Sequence, residues 1–400
     1  MNVQIFSSCA AGEVAAPPSK SMAHRALLCA ALSEGSTVCG LAYSQDILAT
    51  IQCLRALGAA VEQNGDTVRL GDLRPFDTPD DVCLDCNESG STLRFLLPLC
   101  MLSGRVVTLT GSQRLFERPL SVYESIAREQ GGLFEKVGNR LRVCGGLRAG
   151  TYRVPGNISS QFITGLLYAL PLLPGDSCLE IIGGLESGSY VDLTLAALKE
   201  FGISIHRDGS VFHIPGGQKF DCCVYTVEGD CSNAAFLDAL NVVGGHVRVT
   251  GLTKDTLQGD RVYRTMYESL LGGGRRFDLT DCPDLGPIMF ALAAATGGAE
   301  FTGTARLSIK ESDRCAAMAM ELAKYGITMQ VGQNTVSVQE GTLQTPAVPL
   351  CGHNDHRIVM ALAVLCTITG GIIEGAEAVR KSFPDFFDVL KSLQIGLTEL

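Results

Sequence analysis

Residues 161–217 read QFITGLLYALPLLPGDSCLEIIGGLESGSYVDLTLAALKEFGISIHRDGSVFHIPGG. The segment begins with an apolar run of helical length, then passes through Gly175 into a short extended apolar stretch. A second, amphipathic helix pattern follows and stops at Gly202, and glycine commonly follows the last residue of a helix. The final part surrounds Asp208-Gly209, which is typical of a two-residue hairpin. The segment therefore predicts two helices, a strand and a β-hairpin.

The same pattern returns six times along the chain. In each copy an apolar helix runs into a glycine and then a strand, and these glycines are Gly35, Gly104, Gly175, Gly245, Gly298 and Gly371. They lie 69, 71, 70, 53 and 73 residues apart, and such regularity marks repeated supersecondary units. Asn64-Gly65 and Gly138-Asn139 predict further hairpins, whose two central residues we expect to adopt positive φ. We expect the fourth copy to lack its hairpin and the sixth to end with its second helix.

Each copy reads βαβαββ in cyclic order, which predicts an α/β protein. One such unit cannot bury its own apolar face, so we expect six units to pack as two lobes of three. The first strand, Val3–Phe6, precedes the first helix and is expected to complete the C-terminal lobe. The predicted bounds are 18–226 for the N-terminal lobe, 1–17 with 227–400 for the C-terminal lobe, and 14–18 and 225–229 for two hinges. A double hinge suits a clamshell that closes on its ligands.

Composition excludes several classes of protein. The net charge is −10 and the sequence pI is about 5.2, which argues against nucleic acid as a partner. The apolar runs fall short of the ~18 residues that a membrane span needs, and the first residues lack a secretion signal. We therefore expect a cytoplasmic protein that does not interact with membranes.

The sequence predicts neither a metal site nor a bound cofactor. Most of the 16 cysteines lie in apolar segments, and Cys83-x-x-Cys86 has no second pair at zinc spacing. Glycine-rich nucleotide-binding motifs are absent from the required strand–helix context.

Polar motifs stand where several of the apolar helices begin. They are Ser19-Lys20-Ser21 with Arg25, Asn87–Arg94 around Gly90, Ser159-Ser160-Gln161, and Asn354-Asp355-His356-Arg357. A helix start offers unsatisfied N–H groups and partial positive charge, so it binds phosphate or carboxylate readily. Each motif alone would suit an ordinary helix cap. Four of them in equivalent positions predict binding of a small, multiply anionic substrate.

Further charged groups follow the strand halves of the repeats. Lys310-Glu311-Ser312-Asp313-Arg314 is the densest cluster of charge in a chain poor in charge, although a solvated surface run would look the same. Arg118 and Lys381 are isolated cations near predicted helix starts, and Asp284 precedes an apolar helix. Carboxylates among cations favour proton transfer on an anionic substrate.

Together these motifs resemble the 3-phosphoshikimate 1-carboxyvinyltransferases (5-enolpyruvylshikimate-3-phosphate synthases), a family of enolpyruvyl transferases. The resemblance rests on Ser19-Lys20-Ser21-x-x-x-Arg25, Gly90-Ser91 with Arg94, Leu109-Thr110-Gly111 with Arg118-Pro119, Ser159-Ser160-Gln161-Phe162, Pro283-Asp284, Lys310–Arg314, Asp355-His356-Arg357 and Lys381-Ser382-Phe383-Pro384. The motifs occur in the order of the family and cover nearly the whole chain.

The resemblance implies a two-lobed fold in which each lobe is an inside-out α/β barrel. It implies transfer of the enolpyruvyl group of phosphoenolpyruvate to the 5-hydroxyl of shikimate 3-phosphate, with release of phosphate, in chorismate and aromatic amino acid biosynthesis. We expect a monomer that needs no cofactor.

The resemblance also implies roles for individual residues. Those for shikimate 3-phosphate are Lys20, Ser21, Arg25, Ser159, Ser160, Gln161, Ser187, Tyr190, Asp284 and Lys310. Those for phosphoenolpyruvate are Lys20, Gly90, Arg118, Gln161, Arg314, Arg357 and Lys381. The implied acid–base groups are Lys20, Asp284 and Glu311. The sequence departs from the common pattern of the family at Glu88, Gly188, Arg306 and Ser308.

Two other functions remain open on the same fold. One is enolpyruvyl transfer to UDP-N-acetylglucosamine, although the Ser-Lys-Ser and Ser-Ser-Gln motifs favour shikimate 3-phosphate. The other is anion binding without catalysis.

Overall fold

The computed structural model describes residues 1–400. The chain forms two compact units. Unit 1 consists of Met1–Ser19 and Glu228–Leu400, and unit 2 consists of Lys20–Val227. The chain thus passes between the units twice, after Ser19 and after Val227.

Thirteen α-helices contain most of the buried apolar residues. They are α1 (Lys20–Leu32), α2 (Gln45–Ala56), α3 (Gly90–Cys100), α4 (Gln113–Glu117), α5 (Ser121–Glu129), α6 (Ser160–Ala169), α7 (Gly188–Glu200), α8 (Cys231–Val242), α9 (Tyr263–Leu271), α10 (Gly286–Thr296), α11 (Arg314–Lys324), α12 (His356–Thr369) and α13 (Phe386–Ser392). None of these helices is long and apolar enough to span a membrane.

Twenty-two short strands connect the helices. They are β1 (Asn2–Ile5), β2 (Ala11–Ala15), β3 (Ser36–Cys39), β4 (Ala60–Asn64), β5 (Thr67–Gly71), β6 (Cys83–Asp85), β7 (Val107–Thr110), β8 (Leu133–Val137), β9 (Arg140–Cys144), β10 (Thr151–Pro155), β11 (Ser177–Ile182), β12 (His206–Asp208), β13 (Val211–Ile214), β14 (Val224–Thr226), β15 (His246–Thr250), β16 (Arg276–Asp278), β17 (Ala299–Thr302), β18 (Met329–Val331), β19 (Thr335–Val338), β20 (Leu350–Cys351), β21 (Gly371–Glu374) and β22 (Leu397–Glu399).

The strands form six small sheets, three in each unit, as the repeat predicts. Unit 2 contains the sheets β14-β3-β5-β4, β6-β7-β9-β8 and β10-β11-β13-β12, and unit 1 contains β15-β2, β16-β17-β19-β18 and β20-β21-β1-β22. In the sheet of the opening segment, β10 and β11 are parallel, and the β12–β13 hairpin pairs antiparallel with β11. The fourth sheet, β15-β2, has only two parallel strands and no hairpin. The predicted α/β repeat architecture is confirmed.

The end of the sixth repeat differs from the prediction. A strand, β22, follows the last helix and pairs antiparallel with β1, which in turn pairs with β21. The expectation that the chain ends with a helix is therefore wrong. With three residues, β22 is too short for an alternating pattern, and only the distant N-terminal strand gives it a partner.

The three predicted hairpins are present, with a different turn geometry from the one expected. Gly65, Gly138 and Gly209 each have a φ of 58°, while the residue after each glycine does not have positive φ. Glycine at the first central position alone is the pattern of a type II′ turn.

Each unit has its own hydrophobic core, built on helices that are buried on all sides. In unit 2, α3 packs against α6. A Cβ at Gly165 of α6 would lie 2.4 Å from the carbonyl oxygen of Arg94 and even closer to the hydroxyl of Tyr123, so only glycine permits this approach. In unit 1, α10 packs against α8 and α12. Because the middle of these helices is buried, most of them carry polar groups at the first turn.

Candidate active site

In unit 2, Lys20 is the first residue of α1 and is paired with a carboxylate. Its Nζ lies 2.8 Å from Oδ2 of Asp46 at the start of α2, and the two side chains are 15% and 10% exposed. Asp46 belongs to none of the motifs found in the sequence. The structure thus adds a counter-ion to the Lys20 motif.

Arg25 lies one turn further along α1 and is almost completely buried. Its Nε donates to Thr194 at 2.9 Å, its Nη1 to the carbonyl of Ser21 at 2.7 Å and its Nη2 to the carbonyl of Tyr190 at 2.8 Å. Burial lowers the pKa of Arg25 below its usual value, but an arginine remains charged in proteins. These bonds bring together Ser21, Arg25 and Tyr190, three of the residues assigned to the acceptor substrate.

The start of α3 forms a second cluster in unit 2. Arg94 donates to Oε1 of Gln161 at 2.7 Å, and Nε2 of Gln161 donates to Ser91 at 3.1 Å. The guanidinium of Arg118 lies against Gly90, where an added Cβ would be 2.6 Å from Nη1. Gly90, Arg118 and Gln161, all assigned to phosphoenolpyruvate, therefore lie in one cluster. Arg94 appeared in the motif without a role, and the structure shows that it holds Gln161.

Three serines assigned to shikimate 3-phosphate lie at two helix starts. Ser159 caps α6 and accepts a hydrogen bond from the N–H of Gln161 at 3.3 Å, and Ser160 is the first residue of the helix. Ser187 precedes α7 and has a φ of 55°, which is unusual for a residue with a side chain. Helix starts of this kind suit a phosphate.

A buried chain of hydrogen bonds joins α1 to the start of α3. Nδ1 of His24 lies 2.8 Å from Oγ1 of Thr50, Thr50 lies 2.6 Å from Thr92, and Thr92 donates to Ser89 at 2.7 Å. Burial, with the charges of Lys20 and Arg25, holds the pKa of His24 well below 6.5. His24 is therefore neutral at pH 7, and its bond to Thr50 links α1 to the start of α3. No sequence signal distinguished these hydroxyls from ordinary core residues.

In unit 1, a single buried guanidinium links three carboxylates. Arg314 is completely buried at the start of α11. Its Nε donates to Asp355 at 2.9 Å, its Nη1 to Asp284 at 2.9 Å and its Nη2 to Glu311 at 2.8 Å. Lys310, Glu311 and Arg314 thus belong to an internal network, so the solvated-surface alternative is wrong for these three residues. Asp313 is exposed and caps α11.

Asp284 is the second centre of this network. It lies in the 3-10 turn Pro283–Leu285 and also accepts from Arg357 at 2.7 Å and from Lys310 at 3.3 Å. Burial raises the pKa of Asp284, but the charges of Arg357, Lys310 and Arg314 outweigh burial and hold it well below the usual value. Burial lowers the pKa of Lys310, and Asp284 opposes that shift. Asp284 is a carboxylate throughout the neutral range.

Asp355 connects Arg314 to the start of α12. It is fully buried, caps α12 by accepting from the N–H of Arg357 at 2.9 Å, and accepts from Ser312 at 3.0 Å. Just before it, the carbonyl of Asn354 accepts a hydrogen bond from Nζ of Lys381. The sequence placed Asp355 in a motif, but only the structure shows its bonds to Arg314.

Asp260 is a further acidic group that the sequence did not single out. It is buried and accepts a hydrogen bond from the hydroxyl of Ser232. Burial, followed by the nearby charge of Asp284, raises the pKa of Asp260 to about 6, although Arg357 opposes this. Gln258-Gly259-Asp260 reads as an ordinary loop, so no pattern could have identified it.

Each unit thus collects its own candidate residues. Unit 2 holds Lys20, Ser21, Arg25, Gly90, Arg118, Ser159, Ser160, Gln161, Ser187 and Tyr190, and unit 1 holds Asp284, Lys310, Glu311, Arg314, Arg357 and Lys381. No group of three or more His, Cys, Asp or Glu side chains is arranged to hold a metal ion. Cations beside ionised carboxylates can bind anions and move protons at a bound substrate.

Comparison with known proteins places this arrangement in a family. A family model described as EPSP synthase (3-phosphoshikimate 1-carboxyvinyltransferase) matches residues 7–390. A 3-phosphoshikimate 1-carboxyvinyltransferase of Clostridium kluyveri is 39% identical, over 96% of this chain and 95% of the relative. Those of Clostridium acetobutylicum and Clostridioides difficile are 39% and 36% identical, each over 98% of this chain and 97% of the relative.

Solved structures agree on the fold. An EPSP synthase from Acinetobacter baumannii superposes with a TM-score of 0.78 at 22% identity, covering 100% of both chains. The family model and the curated relatives both extend over nearly the whole chain. The chain therefore belongs to the EPSP synthase (3-phosphoshikimate 1-carboxyvinyltransferase) family.

Proposed function

We propose that this protein transfers the enolpyruvyl group of phosphoenolpyruvate to the 5-hydroxyl of shikimate 3-phosphate and releases phosphate, in the synthesis of chorismate and aromatic amino acids. The observation that carries the proposal is the buried Arg314, which binds both proposed acid–base carboxylates, Asp284 and Glu311. The family and the printed names of the curated relatives support the reaction.

Shikimate 3-phosphate carries a carboxylate, a phosphate and ring hydroxyls. We assign the carboxylate to Ser21 and Arg25, whose geometry α1 determines. We assign the phosphate to the helix starts of unit 2, where its proposed ligands are Ser159, Ser160, Ser187 and Tyr190. Gln161 is a further proposed ligand of shikimate 3-phosphate. Asp284 and Lys310 are the proposed ligands of the ring hydroxyls, with Lys20 near the reacting centre.

Phosphoenolpyruvate carries a carboxylate and a phosphate on three carbons. Guanidinium groups bind both anions in a bidentate manner, and lysine supplies a compact positive charge. The proposed ligands are Lys20, Gly90, Arg118 and Gln161 of unit 2 and Arg314, Arg357 and Lys381 of unit 1.

The reaction needs one proton delivered to C3 of phosphoenolpyruvate and one removed from the acceptor hydroxyl. The oxygen can then attack C2 to form a tetrahedral intermediate, which expels phosphate as C3 gives up one proton and the C2–C3 double bond forms again. Lys20, Asp284 and Glu311 are the proposed proton-transfer groups. In the present arrangement Asp284 is a weak base, because three cations lower its pKa. Anionic substrates that bind Arg357 and Lys310 would compete with Asp284 for these cations and raise its basicity.

The test is a phosphate-release assay in which phosphoenolpyruvate is paired with each of two acceptors. Turnover with shikimate 3-phosphate but not with UDP-N-acetylglucosamine supports the proposal. Turnover with the sugar nucleotide alone would replace it with the sister reaction.

The variant Glu311→Gln distinguishes an enzyme from a protein that binds anions without catalysis. We expect this variant to bind both substrates in calorimetry while turnover falls by about 10²–10⁴-fold. A wild-type protein that binds both substrates and releases no phosphate would instead support anion binding alone.

We further propose that the protein acts in the cytoplasm as a monomer, without cofactor or metal, and does not bind nucleic acid or membranes. The formal charge of −10 agrees with small anions held by local cation clusters instead of by a basic surface. Sedimentation at assay concentration measures the oligomeric state, and activity after dialysis against a chelator tests the metal requirement.

A further inference from the structure

We infer that Glu321 is a positioning residue for phosphoenolpyruvate: it fixes the turn at Cys351–Asn354, which in turn sets the place of Lys381. The inference rests on the proposed function, because it concerns the ligands assigned there to phosphoenolpyruvate. Glu321 lies near the end of α11, two turns from Arg314, and belongs to none of the predicted motifs.

The carboxylate of Glu321 is buried, and both of its oxygens accept hydrogen bonds, from the turn and from Lys324. Oε1 lies 2.8 Å from Nε2 of His353, and Oε2 accepts from the N–H of Cys351 at 2.9 Å and from Lys324 at 2.8 Å. Only 1% of Glu321 is exposed. Burial raises its pKa, but the bonds from His353, Lys324 and Cys351 outweigh burial and lower it. Glu321 is thus an ionised anchor.

The turn that Glu321 holds has an unfavourable backbone. His353 and Asn354 have φ values of 48° and 51°, a pair of consecutive left-handed residues that both carry side chains. Such a conformation persists only where the surroundings determine it. On one side the N–H of Gly352 donates to the carbonyl of Glu374 at 2.8 Å. On the other side Glu321 binds Cys351 and His353 of the turn.

The turn contacts one proposed ligand of phosphoenolpyruvate and leads directly to another. The carbonyl of Asn354 accepts from Nζ of Lys381, and the next residue, Asp355, caps α12 at Arg357. Arg314 binds Asp355 from the other end of α11. One helix therefore holds the segment at two points, and Glu321 is the point that touches no assigned substrate ligand.

The chain offers variants that separate positioning from general packing. Glu321→Gln keeps the shape of the side chain and removes its charge. His353→Asn shortens a half-buried side chain so that it no longer reaches Glu321, and it leaves the bonds of Cys351 and Lys324. Asparagine also tolerates the left-handed backbone, so this second variant should fold. Glu300→Gln is the matched control, because Glu300 is an exposed carboxylate of unit 1 paired with Arg276.

The experiment measures KM for each substrate, kcat and the thermal midpoint in these variants of the full chain. We expect Glu321→Gln to raise the KM for phosphoenolpyruvate about tenfold. The KM for shikimate 3-phosphate and kcat should change by less than about twofold, and His353→Asn should raise the KM for phosphoenolpyruvate by less than Glu321→Gln does. Glu300→Gln should match the wild type.

A double-mutant cycle with Lys381→Ala tests whether Glu321 acts through Lys381. If Glu321 acts through Lys381, Glu321→Gln should add less than about twofold to the KM for phosphoenolpyruvate in the Lys381→Ala background, since coupled residues are not additive. Additive effects, or equal rises in both KM values, would overturn the inference. Wild-type turnover is measured first, so that failure of the proposed reaction is recognised independently of these comparisons.

Discussion

Nη2 of Arg357 donates a hydrogen bond to Oδ2 of Asp284 at 2.7 Å. A proposed ligand of phosphoenolpyruvate and a proposed proton-transfer group are thus bonded directly to each other. Since Arg357 makes the largest contribution to the low pKa of Asp284 among its neighbouring charges, binding of an anion at Arg357 also changes the basicity of Asp284. We therefore propose that this pair couples substrate binding to proton transfer.

Removing the charge of Asp284 should therefore impair chemistry more than folding. We expect Asp284→Asn to lower kcat by about 10²–10⁴-fold, because the asparagine keeps the shape but cannot take a proton. Steady-state kinetics and calorimetric binding of shikimate 3-phosphate are the measurements. Asp388→Asn, at an exposed pair with Lys391, is the control and should leave kcat unchanged. A kcat within threefold of wild type for Asp284→Asn would exclude Asp284 from proton transfer.

Gly90 is required because Arg118 occupies the space of a side chain. In Gly90→Ala the new Cβ would lie 2.6 Å from Nη1 and 2.8 Å from Cζ of Arg118, so the guanidinium must move. We expect the KM for phosphoenolpyruvate to rise about tenfold or more, with little loss of stability because the end of Arg118 is flexible. Gly104→Ala is the matched control, since no atom lies within 4 Å of its added Cβ. Equal KM values in the two variants would show that Arg118 is not a ligand.

Arg314 holds the unit 1 network together, and its loss should be costly. Arg314→Met would leave Asp284, Glu311 and Asp355 without their shared guanidinium, and breaking a buried pair costs about 3–5 kcal/mol. Urea unfolding measures this change in the free energy of unfolding. Arg276→Met, which removes an exposed ion pair with Glu300, should cost less than about 1 kcal/mol. Similar losses of unfolding free energy in the two variants would show that Arg314 does not stabilise unit 1 through these carboxylates.

Asp260 predicts a pH dependence of stability. Its pKa is about 6 in the folded protein and 3.8 in the unfolded chain, so the folded state binds this proton more tightly. The resulting stability is fully present below about pH 4 and is lost as pH rises through about 6. Relative to wild type, Asp260→Asn should gain about 2–3 kcal/mol in unfolding free energy between about pH 4 and about pH 8. A constant difference across this range would show that the pKa of Asp260 is not raised.

The sequence was sufficient for features that rest on local patterns. Repeated glycines and apolar runs predicted the six sheets, and polar residues at helix starts predicted the positions of Lys20, Gly90, Ser160 and His356 at the first turns of α1, α3, α6 and α12. These signals are local because a helix start is read from its own few residues.

Contacts between distant segments could not be predicted in this way. Lys20 and Asp46 are separated by 26 residues, and Arg357 and Asp284 by 73 residues, and no period connects either pair. Strand β22 depends on β1 at the other end of the chain. Glu321 and Asp260 resemble an ordinary helix residue and an ordinary loop residue until the fold surrounds them with partners. Their significance comes from tertiary burial, which single-sequence patterns do not contain.

The proposed reaction consumes phosphoenolpyruvate and shikimate 3-phosphate together. The most direct measurement is the initial rate of phosphate release with both compounds and with each alone, accompanied by mass spectrometry of the acceptor. We expect release only when both are present, with one enolpyruvyl group on shikimate 3-phosphate for each phosphate released. Phosphate release that is independent of shikimate 3-phosphate, or an unmodified acceptor after turnover, would contradict it.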